Sequence, residues 1–108
     1  MIPRILIVAG SDSSGGAGIQ ADIKTATMLG GYAASAVTAV TVQDTTGVHD
    51  VHPIPPAVVA AQMRAVIDDI GADAVKLGML GLAEVIAAVA AVLRTVTVPI
   101  VLDPVIAR

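Results

Sequence analysis

The 108-residue chain contains no cysteine, tryptophan or phenylalanine, and Tyr32 is its single aromatic residue. Without cysteine, these residues can form neither disulfides nor thiolate metal sites, and they offer no cysteine nucleophile. Basic residues are also few: six Lys and Arg stand against nine Asp and Glu, for a net charge of −3. Because the chain has no basic stripe and almost no rings on which bases could stack, the sequence argues against a nucleic-acid partner.

Long apolar segments and a charged leader are missing as well. The longest fully apolar helical segment is "VIAAVAAVL", far short of the roughly 20 residues that span a bilayer. We see no signal peptide, and we therefore expect a cytoplasmic protein with no membrane partner. Hydrophobic residues still make up 56% of the chain, which excludes a disordered tail and is typical of a folded unit. The length suits one small domain, spanning 1–108.

Apolar runs alternate with helical patterns along the whole chain. Strands are predicted at 4–10, 33–44, 72–79 and 98–105, helices at 18–31, 55–70 and 82–94, and a short edge strand at 48–51. Continuous apolar runs are typical of parallel strands that are covered on both faces. The order β-α-β-α-β-α-β predicts an α/β fold of three layers, with helices on both faces of a mainly parallel sheet.

The third helix has the most extensive apolar stripe. The residues that we expect to face the sheet are Leu82, Val85, Ile86, Val89, Val92 and Leu93. Its opposite face carries Ala87, Ala90 and Ala91. These alanines reflect either helix propensity or contact with a further element.

The segment "GSDSSGGAG" directly follows the first predicted strand. Gly10 and Gly15 have P-loop spacing, but Gly16 and Ala17 stand where that motif requires Lys and Ser or Thr. The dinucleotide-binding pattern fits "GAGIQA", yet it begins six residues after Gly10, whereas that motif begins directly after its strand. The loop lies where open α/β sheets bind ligands, so it is either a ligand-binding loop or a flexible turn.

Four polar residues are candidates for contact with a ligand or with another charged side chain. Asp22, in the first helix, is either a solvated acid favoured by the helix dipole or an acceptor for a ligand. Gln43 bonds either nearby backbone or the edge of a heterocycle, since an amide both donates and accepts. Asp103 ends the last strand, where it could hold Mg²⁺, directly or through water, or cap the next segment of the chain. Lys76 interrupts an apolar run and needs a carboxylate, for which the candidates are Asp12 and Asp103.

Two histidines, His49 and His52, raise the question of a metal site. Residues three apart in a strand point to opposite faces. No third ligand is evident, so the pair argues against a metal site.

Four blocks of the sequence together resemble a known family. "AGSDSSGGAGIQADIKT", "TAVTVQDTTGVHDVHPIPP", "DIGADAVKLGML" and "VLDPV" are similar to the hydroxymethylpyrimidine and phosphomethylpyrimidine kinases of thiamine biosynthesis. Those enzymes are ribokinase-like proteins, as are the pyridoxal kinases. The resemblance runs from Ile5 to Val105 and implies the N-terminal half of a ribokinase-like fold. It further implies ATP and Mg²⁺ as cofactors, a small pyrimidine substrate and a homodimer.

The resemblance also implies a role for each matching position. Gly10 and its loop would line the pyrimidine pocket, while Asp22 and Gln43 would hydrogen-bond the polar groups of the ring. Met79 and Val105 would pack against the ring. The reaction would move the γ-phosphoryl group of ATP to a hydroxymethyl group or to its phosphate, which depends on positioning and on neutralising charge.

The resemblance places Asp103 near Mg²⁺ and the ATP phosphates, and it also has departures. The family usually has Asn where this chain has Asp44, and it continues differently at 106–108. Family members are more than twice as long, and their second half carries the anion hole, the catalytic acid or cysteine position and most of the ATP pocket. We therefore predict no catalytic residue in this chain, and little phosphoryl transfer by it alone.

Three alternatives stay open at this point. The chain could be a non-catalytic half-domain, truncated or redesigned, that binds a ligand or another half. It could also belong to a kinase that acts on pyridoxal, or it could bind a dinucleotide. Gln43, in the block "TVQDT", favours the pyrimidine.

Overall fold

The computed structural model describes residues 1–103. In chain order its helices and strands are β1 (Arg4–Asp12), α1 (Gly18–Met28), β2 (Tyr32–Asp44), β3 (Gly47–Pro53), α2 (Pro56–Ala65), β4 (Ala74–Leu77), α3 (Ala83–Leu93) and β5 (Ile100–Leu102). A π-helical turn, Val66–Ile70, continues α2. The predicted contact residue Val105 lies outside the described residues.

The described strands form one sheet in the order β3-β2-β1-β4-β5. β1 is central and pairs in parallel with β2 and β4, and β4 pairs in parallel with β5. β3 is antiparallel to β2 and forms a hairpin with it, longer than the predicted edge strand. The predicted α/β fold with a mainly parallel sheet is confirmed.

Helices cover both faces of the sheet. Because the side chains of β1 alternate between these two faces, this strand contributes to the core on each side. Leu6 and Val8 are buried with residues of α2 and α3, such as Val59 and Val89. On the other face Ile7 and Ala9 are buried against α1. The core is built from aliphatic side chains, as the lack of aromatic residues requires.

α3 buries a narrower stripe than its sequence predicts. Val85, Val89 and Val92 are buried, but Leu82 and Ile86 are 51% and 49% exposed. Leu82 stands at the N-cap, before the first helical turn, and Ile86 is rotated about 100° from Val85 around the helix.

Among the described residues, 1–103, none of the helices has the length and apolar character that a membrane-spanning helix needs.

β1 continues two residues beyond its predicted end at Gly10. After a register shift, Ser11 and Asp12 still pair with β2. The polar residues after Gly10 predict a loop, but Ser11 and Asp12 pair with the long strand β2, and this pairing extends β1. The glycine-rich loop is therefore short, and it connects β1 directly to α1.

An ion pair joins the start of β1 to the turn before β4. Arg4 Nη2 and Nε donate to the two carboxylate oxygens of Asp73 at 3.0 and 3.1 Å, and the Arg4 backbone N–H donates to Oδ2. The hydrogen bonds from the Arg4 guanidinium, followed by the one from the Arg4 backbone, lower the pKa of Asp73 to about 2. The pair lies at the opposite end of β1 from the glycine-rich loop.

Candidate ligand-binding site

A cavity of about 470 Å³ opens at the carboxyl ends of β1, β2 and β4, beside the start of α1. Five of the six predicted site residues line it: Gly10, Asp22, Gln43, Met79 and Asp103. The order of strands explains this grouping, since parallel strands end at one edge of the sheet. What each residue does to a ligand stays a prediction.

The glycine-rich loop is organised by a carboxylate of its own. Asp12, only 3% exposed, accepts hydrogen bonds from the backbone and hydroxyl of Ser14 at 2.8 and 2.7 Å. It also accepts from the backbone N–H groups of Gly16 and Ala17 at 3.1 and 2.7 Å. The Ser14 hydroxyl, with those backbone groups, holds the pKa of Asp12 below its usual value although burial opposes this. The loop thus wraps its backbone donors around an internal anion.

Gly18, the first residue of α1, brings the loop back against β1. Its φ of +59° lies in the left-handed region, and a Cβ there would collide with the carbonyl oxygen of Gly10. Glycine satisfies both constraints. This close approach sets the wall of the cavity on which Gly10 and Gly18 lie.

Lys76 pairs with one of its two predicted candidates, Asp103, but it lies closer to Asp22, which the sequence did not identify as its partner. Its ammonium lies 2.5 Å from Asp22 Oδ1 and 3.7 Å from Asp103 Oδ2, while Asp12 is engaged by its own loop. The sequence allows Asp22 to be a solvated acid, but its side chain is only 18% exposed. Sequence reasoning missed this pair because it joins residues 54 positions apart.

Gln43 is the penultimate residue of β2; Ser13 holds its backbone, and one atom of its side-chain amide is hydrogen-bonded. Its backbone N–H donates to Ser13 Oγ at 2.7 Å, and the Ser13 hydroxyl donates to its carbonyl. The Thr41 hydroxyl lies 3.1 Å from Gln43 Oε1 and 2.7 Å from the carbonyl of Ser11. The Gln43 amide nitrogen bonds no residue within 1–103, so its two N–H groups are available to a ligand.

The apolar wall of the cavity comes from Met79 and from the β2–β3 hairpin. Met79 is 40% exposed. A Cβ at position 10 would approach the methyl group of Met79 to 3.4 Å, so Gly10 leaves room for this side chain. Thr41, Val48 and Val51 also line the cavity, and sequence reasoning did not select them. The predicted edge strand at 48–51 was the sequence feature that could have identified Val48 and Val51 as lining residues.

The two histidines bond carboxylates of the hairpin itself. His49 Nε2 lies 2.9 Å from Asp44 Oδ2, and His52 Nε2 lies 2.8 Å from Asp50 Oδ2. No group of three or more metal-binding side chains occurs within the described part of the chain. Asp44, which departs from the family pattern, accepts from the backbone and hydroxyl of Thr46 and so shapes the hairpin turn.

Comparison with known proteins gives one consistent family. The family model described as phosphomethylpyrimidine kinase matches residues 12–108. A hydroxymethylpyrimidine/phosphomethylpyrimidine kinase of Mycobacterium tuberculosis is 56% identical over 107 residues, which are 97% of this chain and 39% of the relative. The chain thus spans well under half the length of that curated relative.

Solved structures agree in fold. The crystal structure of a phosphomethylpyrimidine kinase from Clostridium difficile superposes with a TM-score of 0.87 at 43% identity, covering 95% of this chain and 45% of that one. The pyridoxal kinase from Staphylococcus aureus, in complex with AMP-PCP and pyridoxal, gives a TM-score of 0.87 at 41% identity over 98% of this chain and 40% of that one. Together with the match over most of its length, these likenesses establish that the chain belongs to the phosphomethylpyrimidine kinase family.

Proposed function

We propose that this chain forms the pyrimidine-binding part of an ATP-dependent kinase that phosphorylates hydroxymethylpyrimidine and its monophosphate in thiamine biosynthesis. The observation that carries the proposal is the gathering of Gly10, Asp22, Gln43 and Met79 on one cavity. Its volume lies within the range of small-molecule sites. The proposal includes a cytoplasmic location and a homodimer, of which the homodimer is implied by the resemblance.

The polar groups of the cavity suit a flat nitrogen heterocycle. The Gln43 amide offers N–H donors, whereas Asp22 Oδ2 accepts no hydrogen bond from the described residues. A pyrimidine with a ring nitrogen and an amino group presents one acceptor and one donor, which complements this pair. Met79 would contact the ring face, because its side chain is half exposed at the cavity wall.

Asp103 supports the Mg²⁺ part of the proposal. It follows β5 directly, its side chain is 63% exposed, and it lines the cavity. Mg²⁺ commonly binds proteins through one or two carboxylates and takes its other ligands from water and phosphate. One exposed carboxylate fits that pattern, and a metal held there would neutralise phosphate charge.

Transfer itself would require more than these residues. The Staphylococcus aureus relative binds an ATP analogue, and we propose that ATP binds the kinase to which this segment belongs. The curated relative extends far beyond the matched segment, and we assign the catalytic residues and most ATP contacts to that further part. On its own, the 108-residue chain is proposed to bind substrate without efficient turnover.

A pyridoxal kinase-like activity is the second candidate, favoured by the likeness to the Staphylococcus aureus enzyme. Calorimetric titration of the chain with hydroxymethylpyrimidine and with pyridoxal separates the two. We expect tighter binding of the pyrimidine. A preference for pyridoxal would transfer the proposal to the second candidate.

Gln43 provides the mutational test of this choice. Gln43→Ala should weaken pyrimidine binding by roughly 1–3 kcal/mol, because a ligand polar group loses its partner. Gln43→Glu is the matched variant, since it keeps the shape and the acceptor but loses the N–H donors. Unchanged affinity in both variants would remove the basis for choosing the pyrimidine.

Catalysis is tested in a chimaera in which this segment replaces the matching segment of the Mycobacterium tuberculosis relative. We expect ATP-dependent phosphorylation of hydroxymethylpyrimidine by the chimaera and none by the chain alone. A folded chimaera that binds the pyrimidine without phosphorylating it would instead support a non-catalytic binding module.

A further inference from the structure

Lys76 lines the cavity beside two carboxylates, Asp22 and Asp103, although it belongs to an otherwise apolar strand. Its neighbours in β4, Val75 and Leu77, are buried in the core with α2 and α3. Because side chains alternate along a strand, Lys76 points to the opposite face, the side of α1. The register pairs it with Ile7 of β1 and Val101 of β5. Asp22, on α1, is therefore within reach.

The distances identify Asp22 as the main partner of this ammonium group. Lys76 Nζ lies 2.5 Å from Asp22 Oδ1 but 3.7 Å from Asp103 Oδ2. The Lys76 and Asp22 side chains are 26% and 18% exposed, against 63% for Asp103. A charge-assisted hydrogen bond between two mostly covered groups is stronger than a solvated pair, so Asp22 is held more firmly than Asp103.

This bond determines which atom of Asp22 a ligand can meet. An ionised carboxylate has two oxygens and only accepts hydrogen bonds. Lys76 engages Oδ1, while Oδ2 receives no donor from residues 1–103, and Asp22 lines the cavity. A ligand seated there must bring a donor of its own, such as an amino group.

We propose that Lys76 is a positioning residue: it fixes the Asp22 carboxylate so that Oδ2 selects ligands that carry an N–H donor. The part of this inference that concerns the ligand rests on the proposed function. Without the ammonium, Asp22 would lose the bond that holds its rotamer and would face Asp103 with no cation between them. Selectivity for the donor-bearing ligand should fall as a result.

The positioning role can be tested without any ligand. Three-bond couplings between the Hα and Hβ protons of Asp22 show whether its side chain occupies one rotamer. We expect one rotamer in the wild-type chain and in Lys76→Arg, and averaged couplings in Lys76→Met. Lys76→Gln is the second variant if Lys76→Met does not fold. A single Asp22 rotamer in the folded neutral variant would overturn the positioning role.

The selectivity role is tested by calorimetry with two probes. These are hydroxymethylpyrimidine, which carries an amino group, and the same ring with hydrogen in place of that group. We expect the wild-type chain to prefer the amino compound by about tenfold or more, and Lys76→Met to lose most of this ratio. Lys76→Arg should restore it. Arg64→Met, which removes an equal charge from an exposed position on α2, should keep the ratio of the wild type.

The outcomes distinguish this inference from the proposed function. If the wild-type chain binds the amino compound selectively and Lys76→Met keeps the full ratio, the inference fails and the proposed function stands. If the wild-type chain binds neither probe, the proposed function fails, and the Asp22 couplings still decide whether Lys76 positions the carboxylate. Equal loss of affinity for both probes would indicate a structural role only and would also overturn the inference.

Discussion

Replacing Gly18 with alanine should damage the fold beyond the ordinary cost of a left-handed residue. Gly18 begins α1 with φ +59°, and a Cβ there would lie closer than 3.0 Å to the carbonyl oxygen of Gly10. The carbonyl carbon of Gly10 and the backbone nitrogen of Asp12 would follow at 3.2 and 3.4 Å. All three obstacles are backbone atoms of β1, so no side chain can rotate away to make room.

Two separate costs set the size of the effect. A left-handed conformation costs a non-glycine residue about 1–2 kcal/mol, and forcing an extra carbon into packed atoms costs about 1–3 kcal/mol. Gly18→Ala should therefore lower the free energy of unfolding by about 2–5 kcal/mol. Gly30 isolates the first cost, because its φ is +87° and a Cβ there would meet nothing within 4 Å. Gly30→Ala should cost only about 1–2 kcal/mol.

Urea unfolding followed by circular dichroism measures both variants on the 108-residue chain. The difference between them is the cost of the collision with β1. Calorimetry adds a functional readout, since displacement of the Gly10 carbonyl would move one wall of the cavity and weaken pyrimidine binding. Equal destabilisation by Gly18→Ala and Gly30→Ala would refute the reasoning, because the close approach of α1 to β1 would then carry no energetic weight.

Three further predictions concern the loop, the core and the amino edge of the sheet. Asp12→Asn should speed hydrogen exchange of the loop amides, because a neutral amide offers fewer acceptor sites than a carboxylate; unchanged exchange would mean that the loop holds its shape without this anion. Val89→Ala should lower the free energy of unfolding by about 1.5–3 kcal/mol in urea, since it removes buried carbons and leaves a cavity; a loss below about 0.5 kcal/mol would be typical of a surface site instead. Asp73 has its pKa lowered to about 2 by Arg4, so its stabilisation is complete above the usual value of 3.8 and is lost as the pH falls through that window; Asp73→Asn should flatten the dependence of stability on pH there, and an unchanged acid profile would exclude this pair as its source.

Local sequence patterns were sufficient to predict the helices and the central strands, because burial on one or both faces sets their apolar periodicity. They failed where a partner strand decides the outcome. β1 extends to Asp12 through polar residues because β2 is long enough to pair with them. The apolar pattern places Ile86 in the core, although only one narrow face of α3 meets the sheet.

The positions of the site residues followed from the motif blocks, but their pairing did not. Which face of α1 approaches β4 is a matter of tertiary packing, so the bond between Lys76 and Asp22 was not predictable from local spacing. Asp12 accepts hydrogen bonds from its own loop because the loop backbone folds around it. The sequence does not predict that backbone conformation, since glycine allows many conformations. The resemblance therefore predicted which residues belong to the site, whereas the hydrogen bonds between them are known only from the structure.

The charge of the cavity explains why "GSDSSGGAG" is not a phosphate cradle despite its composition. Concave arrays of backbone N–H groups bind anions, but here Asp12 already fills that position. The charged residues of the cavity lining are three carboxylates, Asp12, Asp22 and Asp103, and one ammonium, Lys76, which is already bonded to Asp22. A phosphate entering this described part of the site would meet excess negative charge, whereas a neutral heterocycle would not. On the proposed function, phosphate binding at this edge would need added positive charge, which Mg²⁺ held by Asp103 would supply, and the loop would enclose the ring.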